Sequence, residues 1–98
     1  MKIKKKMNGT VLEVAVTGRL DTLTSPELEA DLQKSLDDAD SLLLDFANVD
    51  YISSAGLRML LNINRIMEDK GGMKIINANE IVREVFEVTG FADILTIE

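Results

Sequence analysis

The chain has 98 residues, a formal net charge of −6 at pH 7, and neither cysteine nor histidine. The length predicts one domain over residues 1–98, and the missing residue types exclude disulfides, thiol catalysis, cysteine zinc sites and the usual general base. Because the charge opposes phosphate backbones and no apolar run reaches membrane-spanning length, we expect a soluble cytoplasmic protein that binds neither nucleic acid nor membranes.

The N-terminal residues predict a β-hairpin at the edge of a sheet. Residues 1–7 alternate lysines with mostly apolar side chains, and lysines on an edge strand discourage pairing with another molecule, which favours a monomer. Asn8–Gly9 is a strong signal for a hairpin turn, because both residue types tolerate a positive φ. The return strand, residues 10–17, is apolar on one face and carries a single charge on the other, which predicts cover on both faces.

A loop over Gly18–Leu23 separates this hairpin from the first predicted helix. Thr24 and Glu27 have capping-box spacing, and Pro26 suits the first helical turn, where its missing N–H costs nothing. Either Thr24 or Ser25 is expected to cap the helix. The apolar stripe of this helix consists of leucines four residues apart: Leu28, Leu32 and Leu36.

Three aspartates end the helix, at Asp37, Asp38 and Asp40. A calcium loop would need more oxygen ligands at alternating spacing and a distal glutamate, and the sequence offers neither. The cluster therefore favours a solvated turn, and we expect no metal ion.

The central part of the chain predicts a strand, a loop and a long helix in succession. Leu42–Phe46 is an apolar run bounded by turn formers, Ala47–Ser53 is the loop, and Ser54–Asp69 has helical periodicity. Gly71 suits the left-handed position after the helix, and Lys70 suits the negative helix end.

The C-terminal part predicts one more strand and one more helix. Met73–Ile76 is the strand, Asn77 or Asn79 caps the helix, and Gly90 closes it. Phe91–Ile97 is apolar enough to dock as a short strand or turn. The side chains expected to face inward from this helix are Ile81, Val82, Val85, Phe86 and Val88.

This order of elements predicts an α/β fold. Strand–helix–strand repeats imply parallel neighbours, and the hairpin adds an antiparallel strand. We expect a mixed, mostly parallel sheet of about four to five strands with helices packed on it. The loops Gly18–Leu23 and Ala47–Ser53 would then each deliver a helix N-terminus to one edge of the sheet, where a ligand or partner could bind.

Adjacent hydroxyls at Ser53 and Ser54 mark that edge. Either serine could simply cap the helix, but a cap needs only one hydroxyl. The following Ala55–Gly56 leaves no bulk, so that another molecule could approach the backbone closely. The pair therefore indicates a site as well as a cap.

Catalysis is not expected at this edge. A serine nucleophile needs a base, histidine is absent, and neither the Gly-x-Ser-x-Gly elbow nor a glycine-rich phosphate loop occurs. Paired carboxylates could form from Asp21 with Asp45 or Asp50, although such aspartates more often cap turns. We expect a protein that is not an enzyme and has no cofactor.

Two motifs resemble one protein family. Residues 49–58 read VDYISSAGLR after LLDF at residues 43–46, and GRLD at residues 18–21 precedes a Pro-Glu-Leu helix start. Together they strongly resemble the signature segments of anti-sigma factor antagonists, bacterial proteins built from a single STAS domain. The likeness extends over nearly the whole chain, in order and at matching lengths.

The resemblance implies a partner-switching regulator of transcription. In that family, the unphosphorylated antagonist binds an anti-sigma factor that is also a serine kinase, which frees a sigma factor. Phosphorylation of a serine at the start of the second helix releases the antagonist, and a metal-dependent serine/threonine phosphatase resets it. Some STAS proteins are instead constitutive subunits of transport or sensory complexes, which is the alternative here.

Matching on the glycine places the phosphorylated serine at Ser54. Ser53 is the alternative, because it stands where many members have aspartate before the phosphorylated residue. The resemblance also implies that Asp21 lies beside the site and contacts the kinase. The partner-binding residues expected on this basis are Asp21, Thr22, Ser53, Ser54, Gly56 and Leu57.

Overall fold

The computed structural model describes residues 1–98 and shows a five-stranded sheet in the order β1-β2-β3-β4-β5. β1 is antiparallel to β2, and all other neighbours are parallel, so the predicted α/β fold with a mixed sheet is confirmed. The elements are β1 (Lys2–Asn8), β2 (Val11–Leu20), α1 (Thr24–Ser35), β3 (Ser41–Ile52), α2 (Ser54–Glu68), β4 (Met73–Ile76), α3 (Glu80–Val88) and β5 (Thr96–Ile97), with 3₁₀ turns at Leu36–Asp38 and Phe91–Asp93.

The core lies between one face of the sheet and the three helices. Buried residues alternate with less buried ones from Val11 to Val16, from Ser41 to Phe46 and along β4, as the period of a half-covered sheet requires. The inward side chains of β2, β3 and β4 include Leu12, Val14, Val16, Leu42, Leu44, Phe46, Met73 and Ile75. None of the helices combines the length and apolar character needed to span a membrane.

The prediction that β2 is covered on both faces is wrong. Val11, Glu13 and Ala15 are only half-buried, and Thr17 is exposed. The physical reason is the topology. Because the parallel strands follow one another across the sheet in chain order, successive right-handed crossovers place their helices on the same face.

Two predicted loops are shorter than expected. β2 continues to Leu20 and β3 to Ile52, so most of Gly18–Leu23 and Ala47–Ser53 does not form a loop. Backbone pairing of Leu20 with Ile52 extends both strands, after register shifts that keep Val49 buried. The polar residues in these stretches resemble turn formers, but they lie on the exposed side of paired strands.

Two turn predictions are displaced by one residue. β1 includes Asn8, so the hairpin turn is Gly9–Thr10, with Gly9 at φ +63°. After α2, Gly72 rather than Gly71 has the positive φ, at +94°. Gly71 is required for another reason, because a Cβ there would lie 2.6 Å from the carbonyl oxygen of Asp40.

α3 contacts the core through a narrower stripe than its apolar residues suggest. Asn79 is the cap, and its side chain accepts a hydrogen bond of 2.9 Å from the N–H of Val82. Val82 and Phe86 are buried, whereas Ile81 and Val88 are 66% and 80% exposed, so their predicted inward orientation is wrong. A helix of nine residues on the sheet buries one row of side chains four residues apart. Val85, beside this row, is half-buried against the core as predicted.

The leucine stripe of α1 and the docking of the C-terminal segment agree with the predictions. Leu28, Leu32 and Leu36 are buried as one stripe. The aspartates after α1 are exposed in a turn, and no group of three or more Asp or Glu side chains is arranged to hold a metal ion. The C-terminal segment docks as a 3₁₀ turn and the short strand β5.

Candidate functional site

The carboxyl ends of β2 and β3 bring two segments together at one edge of the sheet, as predicted. Leu20 pairs with Ile52, and the N–H of Ser53 donates a hydrogen bond of 2.8 Å to the carbonyl oxygen of Leu20. The residues that follow Leu20 therefore lie beside the start of α2. This edge is the candidate site.

Gly56 sets how closely α2 approaches β2. A Cβ at this position would lie 2.7 Å from Cγ1 of Ile52 and 3.0 Å from the carbonyl oxygen of Leu20. Side chains do not tolerate such distances, so glycine is needed for the packing of the protein itself. The expectation that Gly56 opens the backbone to another molecule is therefore wrong, because the glycine is buried against β2.

The adjacent serines have different roles. Ser53 is the N-cap of α2, and its Oγ accepts a hydrogen bond of 3.3 Å from the N–H of Gly56. Ser54 is the first residue of the helix, is exposed, and makes no side-chain hydrogen bond. Ser53 thus caps the helix, and the hydroxyl of Ser54 is left exposed without a hydrogen-bond partner.

The other half of the site is a turn in which Asp21 and Thr24 cap each other. Oδ1 of Asp21 accepts hydrogen bonds from the N–H groups of Leu23 at 2.9 Å and Thr24 at 3.0 Å. In return, Oγ1 of Thr24 accepts a hydrogen bond of 2.9 Å from the N–H of Asp21. The prediction that Thr24 or Ser25 caps α1 is wrong. Leu23 occupies the cap position, and its side chain makes no hydrogen bond. Oδ1 of Asp21 instead accepts hydrogen bonds from the N–H groups of Leu23 and Thr24.

These hydrogen bonds favour the ionised, negatively charged form of Asp21. The N–H groups of Thr24 and Leu23 lower the pKa of its carboxyl group, the hydroxyl of Thr24 and the positive charge of Arg19 add to this, and desolvation opposes it only in part. Asp21 therefore carries a full negative charge at neutral pH. The reciprocal Asp-x-x-Thr spacing was the signal in the sequence that could have identified this turn.

Arg19 and Tyr51 form a contact that the sequence did not suggest. They are register neighbours on β2 and β3, and the guanidinium carbon of Arg19 lies 4.3 Å from the centre of the tyrosine ring. Nε of Arg19 also lies 4.0 Å from Oδ2 of Asp21. An aromatic ring and a cation therefore border the site on the side of the strands.

The predicted partner-binding residues fall into two groups. Asp21, Thr22, Ser53 and Ser54 are at least partly accessible, and Leu23 beside them is 81% exposed. Leu57 is only 7% exposed and Gly56 is buried, so these two support the surface from beneath.

Asp45 does not join Asp21. Its Oδ1 accepts hydrogen bonds from the N–H of Ala47 at 3.0 Å and from Nδ2 of Asn77 at 3.2 Å. Asp45 thus ties β3 to the residue that follows β4. Asp50, the other candidate for a carboxylate pair, is exposed and makes no side-chain hydrogen bond.

Comparison with known protein families assigns the chain to one of them. The family model of the STAS domain matches residues 2–98. The chain belongs to the STAS domain family. The resemblance noted in the sequence is thereby confirmed. The candidate site lies where the second helix of this STAS domain begins.

Several relatives of this STAS domain are named anti-sigma factor antagonists. The Bordetella bronchiseptica protein BtrV, whose name places it among the anti-sigma factor antagonists, is 32% identical over 94 residues, which cover 94% of this chain and 80% of that protein. An anti-sigma factor antagonist from Mycobacterium paratuberculosis has the same fold, with a TM-score of 0.89, 22% identity, and coverage of 98% of this chain and 83% of that one.

A further solved structure is that of the Bacillus cell fate determinant SpoIIAA in its phosphorylated form. Its TM-score is 0.75 at 17% identity, with 99% of this chain and 91% of that chain covered. At this level of identity the likeness concerns the fold alone.

Proposed function

We propose that this STAS domain is an anti-sigma factor antagonist whose binding to its partner is reversed by phosphorylation of Ser54. The observation that carries the proposal is the exposed hydroxyl of Ser54 at the start of α2, which the cap formed by Ser53 leaves free. The name shared by the relatives supports the class of partner. The role of the chain is to bind, and no turnover is assigned to it.

The modification is a phosphoryl transfer carried out by the partner. An anti-sigma factor with serine kinase activity transfers the γ-phosphoryl group of ATP to Oγ of Ser54, releasing ADP and a proton. The phosphate adds about −1.5 to −2 charges at neutral pH. The free N–H groups and the partial positive charge at the N-terminus of α2 tolerate this anion, so the fold persists.

A phosphate on Ser54 affects binding to the partner more than it affects the stability of the fold. Asp21 already places one negative charge beside the start of α2, and the phosphate adds more to the same surface. At an effective dielectric constant near 20, two like charges about 5 Å apart repel by about 3 kcal/mol. Against an acidic partner surface, this repulsion weakens binding by about a hundredfold.

The cycle then needs a second enzyme. A metal-dependent serine/threonine phosphatase removes the phosphate from Ser54 and restores the binding form. In this scheme the domain works in the cytoplasm as a monomer and needs neither a cofactor nor a metal ion of its own.

The proposal is tested by incubation with the anti-sigma factor kinase encoded nearest to the gene of this chain, with ATP and Mg²⁺. Intact mass should rise by one phosphate for the wild type and for Ser53→Ala, and should not change for Ser54→Ala. A phosphate gained by Ser54→Ala but not by Ser53→Ala would move the site to Ser53. No gain with any such kinase would favour a constitutive STAS subunit of a transport or sensory complex.

A further inference from the structure

A cavity of about 510 Å³ lies at the end of the sheet opposite the candidate site, where β3 and β4 begin and α2 ends. Sites for small molecules in proteins have volumes of roughly 300–1,000 Å³ and mostly apolar walls. A Cβ at Gly72, on the wall of the cavity, would meet no atom within 4 Å, so a ligand can enter on this side. The apolar side chains of the lining are Val11, Leu42, Leu43, Met73 and Ile94.

Asn64 places an amide on the buried stripe of α2, where an apolar residue is expected. It follows Leu60 by four residues and precedes Met67 by three, and both of these side chains are fully buried. Asn64 is itself only 6% exposed and lines the cavity. A buried amide normally has hydrogen-bond partners for its oxygen and its nitrogen, so the contacts of Asn64 indicate whether it serves the fold or a ligand.

Glu68 determines which atom of this amide is left for a ligand. Nδ2 of Asn64 donates a hydrogen bond of 3.2 Å to Oε1 of Glu68, one turn further along α2. Because a carboxylate only accepts hydrogen bonds, the amide oxygen must point away from Glu68. Oδ1 of Asn64 accepts no hydrogen bond, and it is open to the cavity, since the Oγ of Ser25 is the one unpartnered side-chain nitrogen or oxygen that is sealed from solvent.

The charges around the cavity favour a cation. The lining carries one acidic and one basic side chain, Glu68 and Lys74, but Nζ of Lys74 lies 3.3 Å from Oε2 of Glu98. Two carboxylates therefore stand against one ammonium group, and that ammonium group already has a partner. The C-terminus of α2, which ends at Glu68, adds a partial negative charge.

We propose that this cavity binds a small organic amine in its protonated form. The ammonium group donates to Oδ1 of Asn64 and to the carboxylate of Glu68, and the apolar body of the amine packs against Met73 and Ile94. The inference is independent of the proposed function, because α2 spans 15 residues and the cavity lies about 20 Å from Ser54.

The first test is a titration of the ¹⁵N-labelled full chain with phenethylamine, followed by NMR. The amide signals of Gly71 and Gly72, which line the cavity, should shift in a saturable way with a Kd on the order of 1 mM, while the signal of Ser54 stays in place. The matched ligand is 3-phenylpropionate, which has a similar shape and the opposite charge and should bind at least tenfold more weakly. Absence of saturable shifts with the amine, or equal affinity for both ligands, would overturn the inference.

The second test removes the charge of Glu68. Glu68→Gln keeps an acceptor for Nδ2 of Asn64 but removes the negative charge, so the affinity for phenethylamine should fall about tenfold. The control is Glu84→Gln, which makes the same change of net charge on the exposed side of α3 and should leave the affinity unchanged. Equal affinities in the two variants would overturn the role of Glu68 in binding the cation.

The third test separates a binding role of Asn64 from a structural one. Asn64→Leu should abolish the saturable shifts and raise the Tm, because a leucine of similar size replaces a buried amide whose oxygen has no partner in the free protein. Unchanged binding would overturn the inference. A Tm below that of the wild type would overturn it as well, because the amide would then serve the fold.

Discussion

Asp21 and Thr24 cap each other across the turn that precedes α1. The N–H of Asp21 donates to Oγ1 of Thr24 at 2.9 Å, and the N–H of Thr24 donates to Oδ1 of Asp21 at 3.0 Å. Because Asp21 follows directly on the end of β2, this pair holds a charged side chain at the rim of the site without burying it.

The first prediction concerns acid stability. The hydrogen bonds lower the pKa of Asp21 from its ordinary value of 3.8, so its ionised form stabilises the folded protein above that value. This contribution is lost as the pH falls through the lower folded pKa. Wild type should therefore exceed Asp21→Asn in Tm at neutral pH, and the gap should close when the pH drops well below 3.8.

A matched control for this measurement is Asp50→Asn. Asp50 is a second carboxylate near the candidate site. It is exposed and makes no side-chain hydrogen bond. Its effect on Tm at neutral pH should be small, because the substitution removes no hydrogen bond. A gap between wild type and Asp21→Asn that stays constant from neutral to acid pH would contradict the role assigned to Asp21.

The second prediction separates the two serines by stability. Ser53→Ala removes the N-cap of α2 and should lower the free energy of unfolding by about 1 kcal/mol. Ser54→Ala removes a hydroxyl with no hydrogen bond and should change it by less than about 0.5 kcal/mol. Urea denaturation of both variants checks this, and a larger loss in Ser54→Ala would reverse the assignment of the cap.

The third prediction concerns the close approach of α2 to β2. Gly56→Ala would place a methyl group 2.7 Å from Cγ1 of Ile52 and 3.0 Å from the carbonyl oxygen of Leu20. Overpacking of this kind should cost about 1–3 kcal/mol in the free energy of unfolding, although alanine is the better helix former. An unchanged or raised Tm would show that α2 can shift away from β2 without cost.

The fourth prediction tests the orientation of α3. Phe86 is fully buried, so Phe86→Ala should lower the free energy of unfolding by about 3–5 kcal/mol. Ile81, on the same helix, is mostly exposed, and Ile81→Ser should change the free energy of unfolding by less than about 1 kcal/mol. Denaturation curves for the pair check this, and similar losses would mean that α3 is rotated relative to the sheet.

The architecture was predictable from sequence because it depends on periodicity. The alternation in β2 and the leucine stripe of α1 each bury one face, and the order of strands and helices determines the parallel sheet. The extent of the strands was not predictable, since the pairing of Leu20 with Ile52 is a contact between distant parts of the chain.

The sequence predicted that the residues of the candidate site lie together at the start of α2, but not how they are arranged. The pair Ser53 and Ser54 was identified, yet only the structure shows which serine caps α2 and which is free. The packing role of Gly56 and the unpaired hydroxyl of Ser25 depend on which elements lie against them, and no local pattern in the sequence encodes this.

The most direct measurement is the Kd of the anti-sigma factor kinase for two forms of the full chain, one unmodified and one carrying phosphoserine at position 54. We predict that the Kd rises by about a hundredfold on phosphorylation and that the far-UV circular dichroism of the two forms is the same. Equal Kd values for the two forms, with the phosphate verified by mass, would contradict the account.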